Sequence, residues 1–205
     1  MIALKKSGVT FDQESHTYTD STGMPLVGIT GTLLDYLFPH KYDGVSPGVL
    51  RKAAERGTFV HESIELYETI GALNDSPELK NYIKIKEDHG LVFLESEFNV
   101  SDNIEFSTNI DLTFEASERT VHLADIKTTS KLDLDYLSWQ LSICAYLFEK
   151  QNPDLNVDKL YGIWLRGEKS KLVEVPRHSV EDVVQLINDY NNGVKRLVPI
   201  PVLSD

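Results

Sequence analysis

Three runs of strand-type sequence follow one another between residues 91 and 128: LVFLESEFNV, EFSTNIDLTFE and TVHLADIKT, separated by short polar turns. Consecutive strands joined this tightly can only form an antiparallel meander. On the third run, side chains alternate. His122, Ala124 and Ile126 point one way, and Val121, Leu123, Asp125 and Lys127 point the other. An acid and a base thus emerge from one face at the polar end of an apolar run. They either pair as a salt bridge or hold a metal and handle a water beside it.

The preceding run supplies a partner. In TNIDLTFE, Ile110, Leu112 and Phe114 face one side and Asn109, Asp111 and Thr113 the other. A hairpin centred near Glu118 pairs Phe114 with His122 and Asp111 with Asp125. Cross-strand neighbours hold their Cβ atoms about 5 Å apart. Two carboxylates that close repel, and one pKa rises, unless a cation lies between them. Mg²⁺ or Mn²⁺ is the natural occupant of an oxygen-rich site. A slip of one residue would send the two aspartates to opposite faces.

Helices flank the meander. Residues 9–29 read as three short strands, VTFD, HTYTD and LVGIT, and Thr30 begins a short helix that ends before Pro39, with a loop over 39–45. Ser46-Pro47 starts a long helix to Ile70, stopped by Gly71. Val60, Ile64 and Tyr67 recur at helical spacing and face the core, while Gly57 marks a close backbone approach or a break. Ser76-Pro77 opens a helix to Asp88, Asp133 or Asp135 caps another over 136–150, and Ser179 caps a last one, stopped by Gly193. Residues 159–166 and 171–176 form a hairpin around Gly167-Glu168, and RLVPIPVLSD (196–205) reads as an extended tail. The expected fold class is α/β, a mixed central β-sheet flanked by helices. One domain spans residues 1–205: N-terminal strands and loop over 1–45, the core over 46–178, and a helix and tail over 179–205.

Composition excludes several classes. No apolar run approaches the roughly 18 residues of a membrane span, and the N-terminus MIALKKSG is not a secretory signal. Cys144 is the only cysteine, so an internal disulfide and a four-cysteine zinc or iron–sulfur site are impossible, which suits a reducing cytoplasm. The net charge of −12 argues against coating nucleic acid by charge alone, so any contact with DNA is local. Basic spots stand at Lys127 with Lys131, at Lys80, Lys84 and Lys86, and at Arg166 with Lys169 and Lys171.

Two further residues suit a metal-bearing site. His61, on the long helix, offers a nitrogen ligand, and Glu65 lies one turn on, able to orient it or reach the site through water. Lys127 would orient a water or stabilise charge on a phosphoryl group.

The combination GTFVHESIE, NIDLTF, ADIK and WQLSICAY, from Arg56 to Tyr146, resembles the PD-(D/E)XK nuclease superfamily, most of all its RecB-type and phage exonuclease branch. The N-terminal His16-Thr-Tyr18 ahead of VGITGTLL is similar to phage-encoded members. The resemblance implies a restriction-endonuclease-like core and metal-dependent hydrolysis of DNA phosphodiesters. It implies that His61, Asp111, Asp125 and the backbone carbonyl of Ile126 are metal ligands. Lys127 is implied to be the catalytic lysine beside Asp111, Asp125 and Gln140, with Glu97 at a position often acidic in the family. Two positions depart from the pattern. Thr108 stands where glycine is usual, and Cys144 stands where Gln140 would be followed by tyrosine, with Tyr146 two residues on as a candidate replacement.

The expected function is a Mg²⁺- or Mn²⁺-dependent DNA exonuclease, without an iron–sulfur cluster, a P-loop or a membrane segment. By analogy with the family it would process DNA ends for a single-strand annealing protein in phage recombination, as a homo-oligomer, in the cytoplasm of the host cell. The competing expectations are an inactive nuclease-fold accessory protein and a structure-specific endonuclease.

Overall fold

A computed structural model describes residues 2–13 and 15–195; the tail read as extended lies outside them. In chain order the elements are β1 (Thr10–Asp12), β2 (Thr17–Thr19), β3 (Pro25–Gly28), a π-helical turn Thr30–Leu34, α1 (Asp35–Leu37), α2 (Pro47–Ile70), α3 (Pro77–His89), β4 (Val92–Ser101), β5 (Phe106–Ser117), β6 (Thr120–Lys127), α4 (Leu134–Gln151), β7 (Asn156–Arg166), β8 (Lys169–Val175) and α5 (Val180–Asn191). The fold is α/β, with a mixed eight-stranded sheet between two layers of helix.

The sequence signals act where they stand. The Ser76 hydroxyl accepts the Leu79 N–H, the Asp133 carboxylate accepts the Tyr136 N–H, and Ser179 with Asp182 makes a full capping box. Gly71 ends α2 in the left-handed conformation at φ 70°. Helix α2 runs unbroken through Gly57, where a Cβ would meet the Thr128 hydroxyl at 3.7 Å, an ordinary contact. Neither a break nor a forced close approach is present there. The first helix differs from expectation at its start: Thr30 does not cap it, and the chain opens with a π turn from Ile29.

The sheet runs β1-β2-β3-β5-β6-β7-β8, with β4 also on β5. Strands β4, β5 and β6 form the expected meander, and Phe114 pairs with His122. Helix α4 then carries the chain across to β7, which lies parallel to β6. This crossover is tight: a Cβ on Gly162 of β7 would stand 2.6 Å from the buried Leu137 side chain of α4, so any other residue there forces Leu137 to repack.

Two cores lie on opposite faces of the sheet. On one face Val121 and Leu123 pack with Leu137, Leu141, Ala145 and Phe148 of α4 and with α5. On the other, Leu112, Phe114, Ala124 and Ile126 pack with Val60 and Ile64 of α2 and Leu79 and Tyr82 of α3.

The topology leaves one opening. Thr113 pairs with both β4 and β6, and Ser107 pairs with both β4 and β3, so β3 and β6 share a single edge of β5. Between Ser107, the last residue paired with β3, and Leu112, the first paired with β6, that edge has no ladder partner. Asp111 lies in this gap.

Alternation also slips there. Ile110 does not share a face with Leu112 and Phe114 as strict period-two reading requires; it packs with Phe98 in the α4-side core. On the facing strand, the β4 ladder skips the Glu97/Asp111 pair, and Glu97 adopts φ 47°. A non-glycine residue in that region costs of order 1–3 kcal/mol and persists only where the surroundings hold it. This irregularity re-aims the side chains on both strands.

Candidate active site

Asp111 points along the plane of the sheet. Its Oδ2 accepts the Ile126 N–H at 2.7 Å, a bond that a ladder carbonyl would otherwise make. Extending the Phe114–His122 and Leu112–Ala124 register places Asp111 opposite Asp125. Through the opening, groups from both faces of the sheet converge. From α2, His61 brings Nε2 to 3.2 Å from the Ile126 carbonyl oxygen, and Nδ1 to 3.7 Å from Asp111 Oδ2 and 3.8 Å from Glu97 Oε1. From the α4 side, Lys127 Nζ lies 2.7 Å from Asp125 Oδ2 and donates to Gln140 Oε1 at 3.1 Å. The Lys127–Asp125 contact is an ion pair at close range rather than an aligned hydrogen bond.

One ligand atom from each of His61, Glu97 and Asp111 lies within 4.8 Å of the others. The sequence-based set is thus divided. His61 and Asp111 stand together, Glu97 joins them through its irregular backbone, and the Ile126 carbonyl opens onto the His61 ring. The Asp125 carboxylate is turned to Lys127. Glu65 lies close enough to Glu97 that, after its own partial burial, the Glu97 charge holds its carboxyl above the ordinary range. Tyr146 is elsewhere: it packs against the α4-side core, with Lys150 Nζ 5.2 Å from its ring centroid.

Carboxylates outnumber cations here, and the titrations respond. Burial pushes Asp125 up to about 6; Lys127 opposes the rise and Asp111 adds to it. Asp111 is likewise raised, chiefly by burial, with His61 opposing and Glu97 reinforcing. Burial would lower His61, but Asp111, Glu97 and Asp125 outweigh it and lift the imidazole to about 9. Lys127 is raised because Asp125 and Asp111 outweigh its burial, which keeps its ammonium charged. Paired carboxylates with raised pKa are an electrostatic demand for a cation. One nitrogen and several oxygens fit a hard divalent ion such as Mg²⁺ or Mn²⁺.

Sequence reasoning missed one neighbour. Tyr18, on β2, is 5% exposed and lies over Gly28, where a Cβ would meet its ring at 3.3 Å. Its hydroxyl lies near the Thr108 side chain and the Asn109 backbone, and within the electrostatic reach of Cys144 and Glu97. Burial, aided by those two groups, pushes its pKa up to about 12. Thr108 and Cys144, the two positions noted above as departures, thus both lie in the neighbourhood of Tyr18. The available signal was the lone aromatic on the inner side of HTYTD.

No protein-family model matches this sequence, and no curated protein matches it. Among solved structures, the chain is similar to the crystal structure of SSO0001, with 14% identity over 82% of this chain and 76% of the other, at a TM-score of 0.46. It is also similar to an alkaline exonuclease (LHK-Exo) from Laribacter hongkongensis, with 9% identity over 82% of this chain and 87% of the other, at a TM-score of 0.41. At these scores neither likeness bears on chemistry, which rests on the residues in the opening.

Proposed function

We propose that this protein is a Mg²⁺- or Mn²⁺-dependent deoxyribonuclease that hydrolyses phosphodiester bonds from DNA ends. The observation that carries the reading is the convergence of His61, Glu97 and Asp111 beside the Asp125–Lys127–Gln140 chain in the gap between β5 and β6. His61, Glu97 and Asp111 would hold the ion, with Asp125 and the Ile126 carbonyl at its border. When bound, such an ion polarises a phosphoryl oxygen and lowers the pKa of water.

The chain's own residues do the rest. Asp111 is fixed by the Ile126 N–H, so its second oxygen has a set direction. Asp125 and Gln140 hold the Lys127 ammonium in one place, where its charge would stabilise negative charge developing on the scissile phosphate. Gln140 accepts from Lys127 and leaves its amide N–H groups to donate to a phosphate or a water. By the family resemblance, a role in phage-type recombination follows, with DNA ends prepared for a single-strand annealing protein and the chain acting as a homo-oligomer.

The test is cleavage of end-labelled linear duplex, closed circular DNA and single strands, with Mn²⁺, Mg²⁺ or EDTA. Loss of linear DNA with circles intact is the expected result. Cutting of circles would replace the exonuclease by an endonuclease, and absence of metal-dependent cleavage on every substrate would leave only an inactive DNA-binding accessory.

A further inference from the structure

Lys127 lies at the carboxyl end of β6. Its register partner on β7 is Trp164, and the partner of Trp164 on β8 is Lys171. Register partners point to the same face of a sheet, and adjacent strands lie about 4.8 Å apart. A row Lys127–Trp164–Lys171 therefore crosses the sheet at one level, leading away from the site on the α4 face. Beside it a groove of about 350 Å³ is lined by Lys131, Leu132, Leu134, Trp164, Lys171 and Val173. The Trp164 indole N–H donates to the Thr129 carbonyl at 2.8 Å, which fixes the ring in the groove wall. The rest of the lining is Ser130 and the apolar Leu132, Leu134 and Val173.

Position together with charge singles this groove out. The Lys80, Lys84 and Lys86 face does not form a free basic patch: each lysine is paired, with Asp75, Asp88 and Glu68 respectively. Among the described residues, Lys131 and Lys171 have no acidic partner within 4.0 Å, and no acid lines the groove. Other cations of the chain are also unpaired, and Asp133 lies near Lys131; what sets these two ammonium groups apart is that they flank an anchored indole next to Lys127.

We propose that this groove is a nucleotide subsite, which takes an unpaired base of the DNA strand next to the scissile phosphate. The base stacks on Trp164, and Lys131 and Lys171 hold the adjoining phosphates. A base inside a duplex is already stacked on both faces and paired, so the base that stacks on Trp164 belongs to a single strand or a frayed end. The inference rests on the nuclease reading for its substrate and is tested without turnover.

The experiment is fluorescence anisotropy of labelled oligothymidylate, an abasic oligomer of equal length, and a blunt duplex, in Ca²⁺ without Mg²⁺ or Mn²⁺. Trp164→Ala should weaken oligothymidylate binding about tenfold and leave the abasic oligomer nearly unchanged, because stacking acts through the base. Lys131→Gln and Lys171→Gln should each reduce the salt slope of binding by about 0.7 for a single strand. Equal binding of oligothymidylate by Trp164→Ala and wild type, or equal losses on the abasic oligomer, would overturn the subsite. If Trp164→Ala fails to fold, the two exposed lysine variants decide, and unchanged salt slopes overturn it. A wild-type protein that binds oligothymidylate through Trp164 but cuts no DNA in Mg²⁺ or Mn²⁺ sinks the nuclease reading alone.

Discussion

Two basic side chains of helix α2, Arg56 and His61, meet carboxylates from other elements, with opposite results. Arg56 bonds Glu78, whose side chain is 8% exposed, and Glu78 also accepts the Gly167 N–H at 2.7 Å. Burial would raise Glu78, but the Gly167 bond and Arg56 outweigh it and hold its carboxyl below the ordinary range. Nearby, Lys86 and the Tyr82 hydroxyl close around Glu68 in the same way. These clusters are balanced and closed. Around His61 the carboxylates of Glu97, Asp111 and Asp125 are in excess, and Asp111 and Asp125 are pushed up rather than down. In the first arrangement each buried charge is compensated; in the second carboxylate charge is left over, as the proposed cation site requires.

That contrast makes predictions of decreasing size. Lys127→Ala should cut cleavage of linear duplex by on the order of a thousandfold, as loss of a preorganised charge does, with an unchanged circular dichroism spectrum. Retention of the wild-type rate would remove Lys127 from the chemistry. Lys86→Met should do the reverse. It leaves the Glu68 carboxylate, 3% exposed, without its cation, and should cost about 3 kcal/mol in urea unfolding. Its cleavage rate at 20 °C should stay near wild type; a large loss there would erase the distinction between the two clusters.

The pH dependence of cation binding comes next. Asp125, raised to about 6, holds a proton below that pH, and His61, raised to about 9, keeps one up to that pH. A cation must displace them, so its affinity should rise with pH between 6 and 9, by up to about tenfold per unit for each proton released. The sign for stability agrees. Because Asp125 binds its proton more tightly folded than unfolded, its ionised form costs stability above pH 6 unless a cation compensates. Mn²⁺ should therefore raise the melting temperature more at pH 8 than at pH 5.5, and a shift independent of pH would contradict the site. Tyr18→Phe, the smallest change, removes the hydroxyl beside Thr108 and should cost about 1 kcal/mol of stability if the two bond, read by thermal melting. No change would mean the hydroxyl has an equivalent partner in water.

Much of this was legible in the sequence because period and punctuation act locally. The caps at Ser76, Asp133 and Ser179, the stop at Gly71, and the turn that pairs Phe114 with His122 each depend on a few neighbouring residues. What could not be read depends on contacts across the chain. Nothing local to ESEF announces that Glu97 takes a left-handed conformation, and nothing local to NIDL announces that alternation slips at Asp111. Tyr18 reaches the site only because β3 docks on β5, a parallel pairing between residues about 80 positions apart that loop closure leaves invisible to any short window.

The sharing of one β5 edge by β3 and β6 has a consequence for where this chain tolerates a cut. Residues 46–178 contain His61, Glu97, Asp111, Asp125, Lys127 and Gln140, and look self-sufficient. Yet strands β1–β3 form the wall beside the opening and cover the edge at Phe106 and Ser107. Severing the loop over 39–45 and losing the N-terminal piece would bare that edge, offering unpaired backbone to a strand from another molecule. A protease acting there would remove the Tyr18 side of the candidate site and bare a sheet edge in a single step, so strands β1–β3 shield the sheet as well as that wall.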